Sequence, residues 1–150
     1  MTRGLLIIDI QRDYFPGGAY PLVGPEPAAA AAGRVLETFR AGGEPVIEKA
    51  SPNGFVGTGL ADELRSRGID ELVVAGMMSS MCVDATVRAA ADAGFAVTVV
   101  HDACAAPDLA FGGVEVAGAA VHAAFMAALA DGYATVVDAD RLAEGSTTSV

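Results

Sequence analysis

Leu72-Val73-Val74-Ala75-Gly76 is an unbroken apolar run closed by a glycine, and only Met77–Met81 separate it from a helix-patterned segment at 82–93. A strand without polar alternation is buried on both faces. That restricts the fold to a parallel sheet covered by helices on each side. The rest of the chain repeats the pattern. Strand-like segments at 4–9, 45–49, 96–100 and 134–137 alternate with helical segments at 28–40, 58–67, 82–93 and 113–130. Gly42-Gly43, Gly68 and Gly94 fall where the helices should stop, as C-terminal glycines do. Right-handed crossovers then give an α/β chain, a three-layer α/β/α arrangement with a mainly parallel sheet. The segment from Pro16 to Pro27 holds seven Pro and Gly residues and reads as an ordered loop. The tail from Gly145 reads as a frayed end. There is no internal repeat, and 150 residues suit a single domain spanning 1–150.

Composition narrows the partners. The formal net charge is −10 and the sequence pI is near 4.4. Binding nucleic acid through its phosphates needs clustered Lys and Arg, so that class is excluded, as is attraction to an anionic membrane. No apolar stretch approaches the roughly 20 residues that span a bilayer, and the first apolar run is too short for a signal peptide. The expectation is a cytoplasmic protein acting on a small molecule. Two cysteines without a Cys-x-x-Cys pair suggest neither a disulfide framework nor a redox couple. His101 and His122 are the only histidines, and their spacing is not that of a metal site.

Parallel α/β sheets keep their sites at the carboxyl ends of the strands. Three ionisable groups fall there. Asp9 ends the first apolar run, Lys49 ends the second, and Cys82 opens the helix after the third. Lys49 is the one lysine among nine basic residues, so it stands out in a chain that otherwise uses arginine. A thiol on the first turn of a helix faces free backbone N–H groups and the positive end of the helix dipole, which favour the thiolate nucleophile. A nucleophile, a base and a charge stabiliser from three strand ends could share one rim. Gln11, Phe15 and Phe55 are the candidate substrate contacts, although structural roles for Gln11 and Phe55 are the commoner outcome. Cys104, His101, His122 and Arg88 read as structural, and Asp13 as a loop residue. Met77, Met78 and Met81 suit either a pocket lining or the core.

In this order and spacing, several segments together resemble the isochorismatase-like cysteine hydrolases over nearly the whole chain. They are Leu-Leu-Ile-Ile-Asp-Ile-Gln-Arg-Asp-Tyr-Phe at 5–15, Val-Ile-Glu-Lys at 46–49, Phe-Val-Gly-Thr-Gly-Leu at 55–60, Val-Val-Ala-Gly at 73–76, Cys-Val-Asp-Ala-Thr-Val-Arg-Ala-Ala at 82–90 and Val-Val-His-Asp-Ala-Cys-Ala at 99–105. The resemblance implies a Rossmann-like fold and a triad of Asp9, Lys49 and Cys82. Cys82 attacks a carbonyl, Asp9 moves the proton, and Lys49 holds both. It also implies a cis peptide between Met77 and Met78, with the N–H groups of Met78 and Cys82 as an oxyanion hole. Relatives commonly form dimers or tetramers, so a homo-oligomer is expected.

Two departures from the family pattern matter. Nicotinamidase-type relatives carry an Asp-x-His metal site, whereas this chain has no histidine before His101. The expectation is therefore no metal and no cofactor. Relatives also hold an additional strand and a long loop between the first helix and the lysine strand. Here residues 40–44 run directly into Pro45, so a segment near 41–43 is expected to be missing. The function expected is a metal-independent cysteine hydrolase cleaving a C–N, amide-type bond through a thioester. The alternatives are an isochorismatase-type vinyl-ether hydrolase and a catalytically silent binding module of the same fold.

Overall fold

The computed structural model describes residues 2–39, 42 and 44–146. Four parallel strands form the main sheet in the order β1-β2-β3-β6. They are β1 (Thr2–Ile8), β2 (Ile69–Met77), β3 (Ala96–Ala105) and β6 (Thr135–Val137). The side chains of β2 divide the core in two. Leu72 and Val74 face α2 (Leu60–Ser66), α3 (Asp84–Asp92) and α4 (Gly118–Gly132), packing with Leu64, Val87 and Leu129. Val73 and Ala75 face the other way, onto Ala31, Ala32 and Val35 of α1 (Pro25–Phe39) and Leu142 of α5 (Ala139–Ser146). Leu72, Val73, Val74 and Ala75 are all 0% exposed, so the unbroken apolar run becomes the central strand of a three-layer α/β/α fold.

Gly76 marks where β1 and β2 come closest at their site-facing ends. Its φ is +134°, and a Cβ there would lie 2.0 Å from the Ile8 carbonyl oxygen. No other residue fits, so this glycine is a steric requirement of the strand pair.

Four expectations change. The segment Pro45–Lys49 forms no helix and belongs to no sheet. β1 pairs only with β2, in register from Arg3–Glu71 to Ile8–Gly76, so its far edge has no strand partner among the described residues. A segment that meets no neighbouring strand cannot form a ladder, whatever its propensity. Helix α1 starts at Pro25, inside the segment read as loop, because the first turn has free N–H groups and tolerates proline. Residues 114–116 are not helical. They form β5 (Val114–Val116), which pairs antiparallel with β4 (Leu109–Phe111) around Gly112-Gly113, both at positive φ. A fifth helix, α5, follows β6 and takes in part of the tail. Residues 40, 41 and 43 lie outside the described residues, and with them most of the stretch where a missing segment was expected.

Candidate active site

The carboxyl ends of β1 and β2 bring the three singled-out side chains together. Asp9 follows β1 directly and has φ +44°, a left-handed conformation that aspartate tolerates better than most residues. Lys49 reaches across from its unpaired segment. Its Nζ lies 2.6 Å from Asp9 Oδ2 and 3.4 Å from Cys82 Sγ. A third donation goes to the Ser51 carbonyl oxygen at 3.1 Å. Three N–H bonds to three acceptors use the whole capacity of the ammonium.

Cys82 does not sit on the first turn of an α-helix. It belongs to a π-helical turn, Ser79–Val83, that leads into α3. The Met77–Met78 peptide bond ahead of it is cis, as the resemblance implies. Cys82 is 8% exposed. Burial pushes its thiol up from the ordinary value, and hydrogen bonding and charge repulsion from Asp9 push the same way, against the opposing pull of Lys49. The direction is opposite to the one expected of a thiol on a helix's first turn, because burial and Asp9 together outweigh Lys49. The resting group is a thiol beside a carboxylate acceptor. Contact with Asp9 and Cys82 holds the Lys49 ammonium above its ordinary range, despite the opposing cost of burial.

The other candidates divide. Gln11 is exposed and bonds the buried Tyr14. Phe15 packs with Tyr14, Leu22 and Met77. Phe55 packs against the core beside Phe95, with ring centroids 6.1 Å apart. Cys104 is buried, its thiol pushed up to about 12 by desolvation, and it bonds the Val100 carbonyl. Arg88 pairs with Asp84 at 2.9 Å and lies over the Tyr133 ring. Among the described residues no cluster of His, Cys, Asp and Glu could hold a metal ion. No helix among them is long and apolar enough to cross a membrane.

Two residues escaped the sequence reading. Tyr14 is 7% exposed; burial raises its phenol against the opposing bond from Gln11, and the charges of the Cys82, Asp9 and Lys49 group act on it more weakly. Thr86, on α3, is 0% exposed. Its hydroxyl accepts from Gly54 N at 2.9 Å and donates to the Pro52 carbonyl at 3.3 Å. The helix that follows the cysteine thus grips the loop that follows the lysine. The only hint was the place of Thr86 within the motif around Cys82. A cleft lies between β1 and the lysine segment, lined by Ile7, Asp9, Ile47, Lys49, Leu60 and Thr86 among others, with about 380 Å³ of empty space including its open mouth. Cys82 is not part of its lining.

A parallel α/β sheet thus brings a cysteine, a carboxylate and an amine together beside its strand ends. The isochorismatase domain model matches residues 34–141, and this chain belongs to the isochorismatase family. It is 41% identical to the isochorismatase family protein YddQ of Bacillus subtilis (strain 168), across 91% of this chain and 96% of YddQ. That alignment extends over 172 positions for 91% of 150 residues, so YddQ holds a few dozen residues with no counterpart here. A streptothricin hydrolase of Streptomyces noursei is 35% identical across 72% of this chain and 37% of its own length. The crystal structure of an isochorismatase hydrolase from Oleispira antarctica superposes with a TM-score of 0.88 at 37% identity, covering 95% of this chain and 96% of that one.

Proposed function

We propose that this isochorismatase-family hydrolase is a metal-independent cysteine hydrolase that cleaves a C–N, amide-type bond of a small molecule. The observation that carries this is the single ammonium of Lys49, within 2.6 Å of the Asp9 carboxylate and 3.4 Å of the Cys82 sulfur. Asp9 takes the thiol proton as Cys82 Sγ bonds to the carbonyl carbon. The carbonyl oxygen becomes an oxyanion, received by the backbone N–H groups of Met78 and Cys82. One such donor contributes about 3 kcal/mol to the transition state. The oxyanion collapses, the C–N bond breaks, and Asp9 returns its proton to the leaving amine. Water, deprotonated by Asp9, then attacks the thioester. Its C–S bond breaks, and Cys82 recovers a proton from Asp9 as the acid leaves. Lys49 stays charged throughout and offsets the negative charge shared by sulfur and carboxylate.

A resting thiol is compatible with this scheme, because the base adjoins it and the proton moves only when substrate is present. The same resting thiol also suits a non-catalytic binding module. A panel of small amides, with p-nitrophenyl acetate as a chromogenic acyl donor, separates the two. Turnover by the parent chain and its loss in folded Cys82→Ala support the hydrolase. Equal turnover by parent and Cys82→Ala, or none by the parent on any panel member, rejects it.

A further inference from the structure

The scheme above leaves unused the most deeply buried polar contact of the nucleophile turn. Ser79 is 0% exposed, follows Met78 directly, and opens the π-helical turn that carries Cys82. Its Oγ lies 2.8 Å from Nδ1 of His122, 43 residues further along the chain on α4. A hydroxyl buried at this depth is costly unless paired, so the imidazole is the partner that lets a serine stand here. The ring of His101, from β3, lies with its centroid 6.3 Å from that of His122. Burial and this second imidazole hold His122 below its ordinary range, which keeps it neutral at neutral pH. A neutral imidazole presents one donor and one acceptor nitrogen, which suits a single directed bond to a hydroxyl.

The turn is held at both ends. Past Val83 it runs straight into α3, and Thr86 one turn on is clamped by the lysine loop. At its start, Ser79 is tied to α4. The residue between that tie and β2 is Met78, whose N–H is one of the two donors assigned to the oxyanion. Such donors act only within a few tenths of an ångström of their place, and misplacement by about 1 Å costs on the order of 10²-fold. We infer that Ser79 and His122 form a positioning pair that fixes the Met78 N–H against the substrate carbonyl. The inference rests on the cysteine-hydrolase reading. Neither side chain touches substrate in it; the pair acts through the backbone of Met78.

Kinetics on p-nitrophenyl acetate test the pair, together with the rate at which iodoacetamide alkylates Cys82 near pH 9. Alkylation needs the sulfur and its charged neighbours but not an oxyanion hole. His122→Leu should lower kcat by about 10- to 100-fold, while KM and the alkylation rate stay close to those of the parent. His122→Asn, whose amide oxygen falls near the position of Nδ1, should recover most of kcat. If His122→Leu does not fold, Ser79→Ala removes a single oxygen and carries the same expectation, with Ser79→Thr as the variant that recovers. Unchanged kcat in the Leu or Ala variants overturns the pair. So does a parallel fall of kcat and alkylation, or Asn performing no better than Leu. Cys82→Ala, run alongside, separates the two failures. An inactive Cys82→Ala beside a fully active His122→Leu removes only the positioning role. Turnover retained in Cys82→Ala removes the hydrolase reading itself.

Discussion

Cys82 and Lys49 meet at one point but are supported in opposite ways. Cys82 leaves β2, whose residues Leu72 to Met77 are buried between two helical layers and paired with strands on both sides. Lys49 ends an irregular segment outside every sheet, where Val46 is 93% exposed. A residue on a packed strand is placed by the fold. A residue on an unpaired segment has to be placed by its own bonds: Lys49 by Asp9, Cys82 and Ser51, and its loop by Thr86. The sulfur is therefore held by the fold and the amine by its own hydrogen bonds.

The contrast breaks most visibly at the charges. Lys49→Met should lower turnover by on the order of 10²- to 10³-fold, as loss of a transition-state electrostatic partner does. The alkylation profile gives the sign independently. Burial and Asp9 raise the Cys82 thiol and Lys49 lowers it, so the pH midpoint of alkylation in the parent should lie above that of an ordinary thiol. It should move down in Asp9→Asn and further up in Lys49→Met. Identical midpoints in all three proteins would show that the groups do not feel one another.

Thr86→Val sharpens the comparison without touching a charge. It removes the oxygen that accepts from Gly54 and donates to Pro52, leaving buried backbone groups unpaired. Unfolding by urea should report a loss of about 1–3 kcal/mol. Turnover should fall as well, because the Lys49 loop loses its grip on α3, while Cys82 on its packed turn keeps its place. Unchanged turnover in a destabilised Thr86→Val would show that the loop needs no clamp.

The smallest effect concerns pH and stability. His122 is buried with its ionisation held below 6.5, facing Ser79 from the turn and His101 from β3. As pH falls past about 6.5 the unfolded chain takes up the proton first, so the folded state loses stability on the acid side. Urea midpoints measured near pH 7.5 and near pH 5.5 should differ less in His122→Asn than in the parent. Equal differences would place the titration elsewhere.

How much of this was legible in the sequence follows the same contrast. β2 and the first half of β3 were readable because strands buried on both faces advertise themselves as unbroken apolar runs; β1 and β6 show the same apolar composition although, as edge strands, they are only partly buried. Asp9, Lys49 and Cys82 stood out because each closes or follows such a run. Pro45–Lys49 looked like another strand, since its composition reports propensity and says nothing of whether a neighbour exists to pair with. The hairpin at 109–116 carried its Gly112-Gly113 turn in plain view, but the alanines after it drew the helix reading forward. The Cys82 thiol was misjudged in direction because helix-end position shows in sequence and depth of burial does not. The contacts of Thr86 with Gly54 and of Ser79 with His122 join residues 32 and 43 apart, and no local pattern marks such pairs.

The central claim is that Asp9, Lys49 and Cys82 act as one unit on a carbonyl through the sulfur. Protein quenched in acid during turnover of p-nitrophenyl acetate, digested and read by mass spectrometry, tests it most directly. An acetyl group on the peptide bearing Cys82, present in the parent and absent in Cys82→Ala, is the predicted result. Sustained turnover with no acetyl on Cys82, or with the acetyl on another residue, would contradict it.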